Sequence, residues 1–372
     1  MIKVGITGQS GFVGQHLVRT LNLFPKKFSR IPFKKTFFDH DHELNNFVKS
    51  CDAIVHLAAL NRHEDPQVIY DTNIELVNKL VKACRSTKST PHILMSSSIQ
   101  EEQDNLYGKS KKEGREALAK WAKEVNSEFT GLVIPNVYGP FGKPFYNSVV
   151  STFCYQLTHG EKPEIHKDMQ LDLIYVGDLV EKIMGCIEQK TNDPYHLISA
   201  GTKVKVSEIL ELLSEFKGSY FEKGEIPKLN NTFTLNLFNT FRCYIDMEKQ
   251  FPGNLVKHTD ERGAFVEIIR LGIGGQASFS TTVPGITRGN HYHTRKIERF
   301  AVINGMARIE LRLIGTDEIY SYELDGQQPA YVDMPIWYTH NITNIGDEEL
   351  YTIFWINEPY DPEDADTYYE EV

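Results

Sequence analysis

Cysteine is scarce, with five among 372 residues. Cys51, Cys84, Cys154, Cys186 and Cys243 lie far apart, are odd in number and form no C-x-x-C pair. That excludes a disulfide framework or a zinc ribbon and fits a reducing, cytoplasmic setting. Long apolar runs are absent too: nothing approaches the roughly 18 residues that a spanning helix needs. No apolar signal core precedes the strand pattern Met1–Thr7, so neither secretion nor a membrane partner is expected. Positive charge is in deficit, with 40 Lys plus Arg against 50 Asp plus Glu and a net charge of −10. Sequence-independent nucleic-acid binding needs a basic face to displace counterions and is not expected. A local basic pocket for a phosphorylated metabolite remains compatible with that balance. No internal repeat or low-complexity tract occurs. What is present is ordinary globular material, 41% hydrophobic and 24% charged. At about 100–200 residues per domain, the length predicts two domains.

The two parts differ in texture. Over the first 200 or so residues, short apolar runs (Ile2–Thr7, Ala53–Leu57, Ile93–Ser97) alternate with amphipathic stretches (Phe12–Phe24, Val68–Arg85, Ser110–Val125). That rhythm predicts a Rossmann-type, doubly wound parallel sheet with helices on both faces. Val206–Phe216 reads as one more helix, and Phe221–Gln250 as irregular. From about Asp246 short alternating segments follow one another between Gly, Pro, Asn and Asp: Phe265–Arg270, Gln276–Thr282, Arg299–Asn304, Met306–Leu313, Glu318–Leu324 and Tyr351–Trp355. These predict an antiparallel sandwich or barrel. The acidic tail Glu358–Glu371 is expected to be solvated or packed on an edge. The fold class is therefore α/β plus all-β, with domains at 1–243 and 244–372.

Gly8, Gly11 and Gly14 stand in TGQSGFVG, between the first strand and the first helix. Glycines there permit a tight turn and close backbone approach, and the helix N-terminus offers free N–H groups to a pyrophosphate. A glycine-rich turn alone is also found in ordinary loops; the strand-turn-helix context is what points to a dinucleotide. Gly8, Ser10, Gly11, Phe12, Val13 and Gly14 are the candidate cofactor-binding residues of this loop. Between Gly14 and Phe38 there is no acidic residue to bind ribose hydroxyls, but there are Arg19, Lys26, Lys27, Arg30, Lys34 and Lys35. Arg30 and Lys34 thus favour the 2′-phosphate of NADPH over NADH, the other reading being a solvated basic edge. Further on, Tyr107 and Lys111 of YGKSK share a helix face, and Ser96-Ser97-Ser98 ends the strand before them. An ammonium beside a phenol favours the phenolate and brings a proton donor towards working pH.

TGQSGFVG, Asp52 with AIVHLAA, SSS, YGKSK, PNVYGP (Pro135–Pro140) and YVGD (Tyr175–Asp178) fall in one order over roughly residues 1–240. In that order they resemble the extended short-chain dehydrogenase/reductases that act on nucleotide sugars. The resemblance implies Tyr107 as proton donor or acceptor and Lys111 as the residue that orients the ribose and tunes the tyrosine. The carbonyl-polarising serine is Ser97 or Ser98, with Ser97 preferred. Asp52, Leu57, Ala58 and Lys111 join the candidate cofactor contacts. One departure stands out: where the family often carries an arginine before PNVYGP, this chain has Leu132, Val133 and Ile134.

In the second part, Gly289-Asn-His291-Tyr-His293 places two imidazoles at i, i+2 on a strand, hence on one face. Glu298 follows, and His340 lies in PIWYTHN. Imidazoles with one carboxylate form a ligand set for zinc, iron, manganese or nickel. The pattern resembles the two signature motifs of cupin barrels, and RGNHYH (Arg288–His293) is similar to cupin sugar epimerases. There the first histidine is a base, so His291 stays open as ligand, base or neither; His293, Glu298 and His340 are the other candidate metal ligands. A reductase fused to a metal cupin resembles, over essentially the whole chain, bifunctional capsular-polysaccharide biosynthesis enzymes. The resemblance implies a UDP-linked 4-keto-6-deoxy amino sugar as substrate, NADPH and zinc as cofactors, and a homodimer or homotetramer. It implies epimerisation beside the ketone in the barrel, then reduction of that ketone in the first domain. Two alternatives stay open: a reductase whose cupin is only structural, and a non-catalytic scaffold that senses sugar nucleotide or NADPH.

Overall fold

The computed structural model describes residues 1–261 and 263–372. Two compact units result, one of residues 1–149 with 168–206 and the other of 150–167 with 207–372.

In the first unit, β1 (Ile2–Thr7), β2 (Phe28–Ile31), β3 (Ala53–His56), β4 (His92–Ser98) and β5 (Phe129–Ile134) pair in parallel with one another. A three-stranded sheet is built from β6 (Asn136–Tyr138), β7 (Gln170–Tyr175) and β9 (Thr202–Lys205). β8 (Asp193–Leu197) closes the main sheet in the order β2-β1-β3-β4-β5-β8. Alternation splits the strand residues between two cores. Val4, Ile6, Val55 and Leu94 pack with Leu17 of α1 (Phe12–Asn22). Ile54, Ile93 and Met95 pack on the other face with α2 (Asp41–Ser50), α3 (Pro66–Thr87) and α4 (Leu106–Val125), through Phe47, Leu80, Leu118 and Trp121. Each such aliphatic or aromatic side chain contributes about 1.5–3 kcal/mol of burial. The doubly wound sheet expected from the sequence is what forms.

The chain also signals its helix ends. Asp65 caps α3 by accepting from Gln67 N at 2.8 Å, with Pro66 in the first turn. Asn105 caps α4 by accepting from Gly108 N at 2.7 Å, which starts that helix ahead of the expected Ser110. Further helices are α5 (Val149–Thr158), α6 (Val176–Gln189), α7 (Val206–Phe216) and α8 (Thr232–Arg242). α8 corrects the reading of 221–250 as irregular. Asn231 and Thr234 form a reciprocal capping box, and Leu237, Phe238 and Phe241 are fully buried. In space, 207–243 groups with the β-rich unit.

That unit holds short strands β10 (Gly253–Asn254), β11 (Lys257–Asp260) and β12 (Gly263–Val266). Longer ones follow: β13 (Gln276–Thr282), β14 (Thr287–Tyr292), β15 (Glu298–Asn304), β16 (Met306–Leu313), β17 (Ile319–Asp325), β18 (Ala330–Met334), β19 (Tyr338–Asn344) and β20 (Leu350–Ile356), with β21 (Tyr368–Tyr369) at the end. They make two five-stranded sheets, β10-β18-β15-β20-β13 and β17-β16-β19-β14-β21, paired antiparallel throughout. The expected strand at 265–270 stops at Val266. The strand expected at His291 is β14, with His293 just beyond its end, whereas β18 and β19 are not among the expected segments, because their residues are buried on both faces and do not alternate. Of the two expectations for the acidic tail, packing on an edge is what forms: β21 pairs with β14 at the sheet edge.

Candidate functional site

The C-terminal ends of the parallel strands gather the first candidate centre. Gly8 has φ +77, and a Cβ there would lie 2.7 Å from Ala58 N. A Cβ on Gly14 would lie 2.3 Å from Gly8 O. Both glycines are therefore demanded by contact between loop, helix and β3 exit. Leu57 N donates to Thr7 O at 3.1 Å and Ala58 N approaches Thr7 Oγ1 at 3.4 Å, which locks the two loops together. Gly11 takes the N-cap position of α1 with no side-chain cap, and Ser10, Phe12 and Val13 flank it. The result is a cradle whose helix N-terminus can receive a phosphate. Gln9 Nε2 donates to Phe33 O at 2.6 Å and ties the cradle to the exit of β2. Arg30 and Lys34 are both exposed at that exit.

Asp52 is a correction. Its carboxylate accepts from Lys3 N at 2.8 Å, and it precedes β3. In a parallel sheet that is the N-terminal edge, opposite the glycine loop. Asp52 closes the start of the sheet and does not face a cofactor.

Around α4, Lys111 is buried and its Nζ lies 3.4 Å from Ser96 Oγ. Burial lowers Lys111 to about 8, with Glu101 acting in the opposite sense. Tyr107 is half-buried on the same helix face, and burial raises its phenol to about 12. The expected downward tuning by the ammonium is not what the phenol shows: burial, with Tyr146 acting in the same sense, raises it, and it keeps its proton. Ser97 is a second correction. It points to the other face of β4, buried, and its Oγ donates to Glu101. Strand alternation puts Ser96 and Ser98 on the Lys111 face instead, and Ser98 Oγ accepts from Gln100 N at 3.2 Å at the start of the following turn. Behind them Arg115 holds Glu101 through Nε at 2.9 Å and Nη2 at 2.8 Å. No sequence pattern marked this Glu101–Arg115 clamp. Gly108 is a second hidden requirement, since its Cβ would fall 2.0 Å from Gln100 O.

The second candidate centre lies in the β-rich unit. Ligand atoms of His291, His293, Glu298 and His340 all lie within 4.8 Å of one another. His291 pairs with His340 across β14 and β19, after a bulge at Asn290, which has φ +59. His293 stands just beyond β14, and Glu298 opens β15. Glu298 Oε2 lies 3.2 Å from His293 Nε2 and 3.1 Å from His340 Nε2. Nδ1 of His340 faces Tyr338 O at 3.1 Å and Nδ1 of His293 faces Asp366 O at 2.5 Å. A carbonyl only accepts, so both rings donate from Nδ1, which turns Nε2 inward as the atom left for Glu298 or for a cation. His340 Nε2 is buried without a hydrogen bond of acceptable geometry, although the carboxylate is near. Burial alone would raise the Glu298 carboxyl, but His293 and His340 outweigh it and hold it well below the usual range. Burial lowers His291 to about 4, so it is neutral at pH 7 and able to bind an ion. Zinc bonds of about 2.1 Å set tetrahedral ligand atoms roughly 3.4 Å apart, near the 3.2 and 3.1 Å that separate Glu298 Oε2 from the two Nε2 atoms. The donor set, three imidazoles and one carboxylate converging on one point, suits a divalent cation.

Residues 4–201 match the NAD dependent epimerase/dehydratase family, and residues 258–368 match the polysaccharide biosynthesis C-terminal domain. The chain is 34% identical over 372 residues to a UDP-2-acetamido-2,6-beta-L-arabino-hexul-4-ose reductase of Pseudomonas aeruginosa, covering 99% of this chain and 98% of that one. It is similar along the full length of both chains to the capsular polysaccharide assembling protein CapF of Staphylococcus aureus, at 35% identity and a TM-score of 0.63. The spore coat polysaccharide biosynthesis protein SpsL of Bacillus subtilis is 29% identical over 30% of this chain and 81% of its own. With the family match spanning more than half its residues and a full-length relative above 30% identity, the chain belongs to the NAD dependent epimerase/dehydratase family.

Proposed function

We propose that this protein is a bifunctional nucleotide-sugar enzyme of polysaccharide biosynthesis, with two centres that act in turn on one oxo group. The substrate is a UDP-2-acetamido-2,6-dideoxy-4-hexulose, in keeping with the activity for which the Pseudomonas aeruginosa relative is named. Residues 244–372 epimerise the carbon beside the ketone, and residues 1–243 reduce the ketone to UDP-2-acetamido-2,6-dideoxy-talose. The order follows from acidity: the hydrogen beside a ketone can be removed, whereas after reduction it cannot. The carrying observation is that the chain builds two polar centres suited to ketone chemistry, one at Tyr107–Lys111 and one at His291–His340.

When bound, NADPH supplies the hydride, and zinc or another divalent cation supplies Lewis acidity at the ketone oxygen. Tyr107 holds a proton on its phenol at neutral pH and delivers it to the carbonyl oxygen. Ser98 donates to the same oxygen. Lys111, fixed beside Ser96, orients the ribose and favours charge on the phenol as the proton leaves. The glycine cradle receives the pyrophosphate, and Arg30 and Lys34 take the 2′-phosphate, which sets the preference for NADPH. In the β-rich unit, His293, Glu298 and His340 hold the cation, and His291 is its fourth ligand or the base. We further propose a cytoplasmic homo-oligomer, a dimer or tetramer.

The test is turnover of that UDP-hexulose with NADPH, read by product NMR. Reduction to the talo product, lost in Tyr107→Phe, supports the reading; cofactor left unconsumed with this substrate overturns it. Zinc analysis of His340→Ala bears on the second centre, where metal content is expected to fall to near zero. An unchanged content removes His340 from the ligand set.

A further inference from the structure

The end of the chain is built into the histidine centre. Asp366 is buried, with φ +41, in the left-handed region that a non-glycine residue seldom occupies. Its carboxylate accepts four hydrogen bonds, from Thr294 N at 3.0 Å, Thr294 Oγ1 at 2.7 Å, Arg295 N at 3.0 Å and Lys296 N at 3.0 Å. Its backbone carbonyl accepts from His293 Nδ1 at 2.5 Å. One residue therefore grips the connection between His293 and Glu298 and fixes the His293 ring. Neighbours secure the grip. Lys296 Nζ, on a buried side chain, donates to Ala365 O at 2.7 Å. Arg312 Nη2 pairs with Glu370 at 3.0 Å, and Tyr369 pairs with His291 across β21 and β14.

The structure assigns Asp366 as a positioning residue for the cation centre, acting through the tautomer and orientation of His293. Outer hydrogen bonds of this kind set which nitrogen faces the metal and raise its basicity, and their loss weakens binding about 10–100-fold. The backbone strain at Asp366 fits the same account, since the four N–H and O–H donors over-determine its position. The carboxylate also needs no counter-ion here: three backbone N–H groups and a hydroxyl form an anion nest at the start of the connection. The inference rests on the reading that this centre binds a divalent cation.

The experiment uses the full-length chain, freed of metal by chelator and titrated with zinc in competition with a chromophoric chelator. Cobalt(II) titration adds a visible spectrum that reports ligand geometry. Asp366→Asn is expected to weaken zinc affinity about 10–100-fold and to alter the cobalt band. Asp364→Ala, at the exposed end of the Arg295 pair, is expected to leave both unchanged. A folded Asp366→Asn chain with parental zinc affinity and cobalt spectrum overturns the assignment, even if its melting temperature has dropped. That split marks a residue which only staples the loop. Should Asp366→Asn fail to fold, Asp366→Glu keeps the charge but displaces the carbonyl, and the same two readings apply to it. A parental chain that binds neither ion overturns the cation reading and the assignment together.

Discussion

Tyr107 is set up as a protonated phenol rather than a phenolate. Burial raises it to about 12, while Lys111 is lowered to about 8 by its own burial. Removing the hydroxyl in Tyr107→Phe should therefore cost the reduction about 10²–10⁴-fold, measured as NADPH consumption. Retained reduction would mean that another group supplies the proton. Behind this pair, the Glu101 side chain is fully buried and depends on Arg115 for its charge balance. Arg115→Ala leaves an uncompensated carboxylate beneath Ser97, and the expected loss is about 3–5 kcal/mol in urea unfolding. A loss below 1 kcal/mol would show that water or another cation already reaches Glu101.

Element by element, glycine substitutions separate contact from propensity. Gly108 sits in the first turn of α4, where a Cβ would meet Gln100 O at 2.0 Å. Gly108→Ala should cost about 1–3 kcal/mol and lower kcat, because the shift is borne by the turn carrying Tyr107. Gly185 lies within α6 with nothing within 4 Å of its would-be Cβ. Gly185→Ala should instead stabilise by about 0.5–1 kcal/mol. Thermal unfolding of the pair, with kcat for the first, checks both signs. These elements also show what could be read in advance. β1, the glycine turn and α1 are legible because their spacing is demanded locally. α8 was not, since TFTLNLFNTFR is rich in aromatic, β-branched and Asn residues, and its helix is fixed by burial of Phe238 and Phe241. Asp52 and Ser97 were misplaced because sequence does not say which end or which face of a strand a residue occupies. Asp366 was invisible: its partners at 293–296 are some seventy residues away.

Across the whole molecule, several buried histidines link stability to pH. Burial lowers His16 to about 4, His56 to about 3 and His92 to about 4, all from 6.5. Each is neutral in the fold, held by Pro140 O, Thr7 Oγ1 and Thr130 Oγ1 in turn. Their folded values lie below the unfolded one, so their contribution is complete above pH 6.5. It is lost as pH falls towards 4, because the unfolded chain binds protons that the fold refuses. Each site adds a slope of up to about 1.4 kcal/mol per pH unit in that window. The first unfolding transition should drop steeply between pH 6.5 and 4.5, and His56→Gln should flatten the drop. A flat profile would show that these rings are protonated in the fold.

The central claim is that the β-rich unit loosens the hydrogen beside the ketone before the first unit reduces it. It is tested most directly by incubating the UDP-2-acetamido-2,6-dideoxy-4-hexulose with the protein in deuterium oxide, without NADPH, and following the neighbouring carbon by NMR. The account predicts deuterium at that carbon with the parental chain and with Tyr107→Phe, and none above background with His291→Ala. Absence of exchange from a zinc-loaded parental chain that still reduces the ketone with NADPH would contradict it and leave the protein a reductase alone.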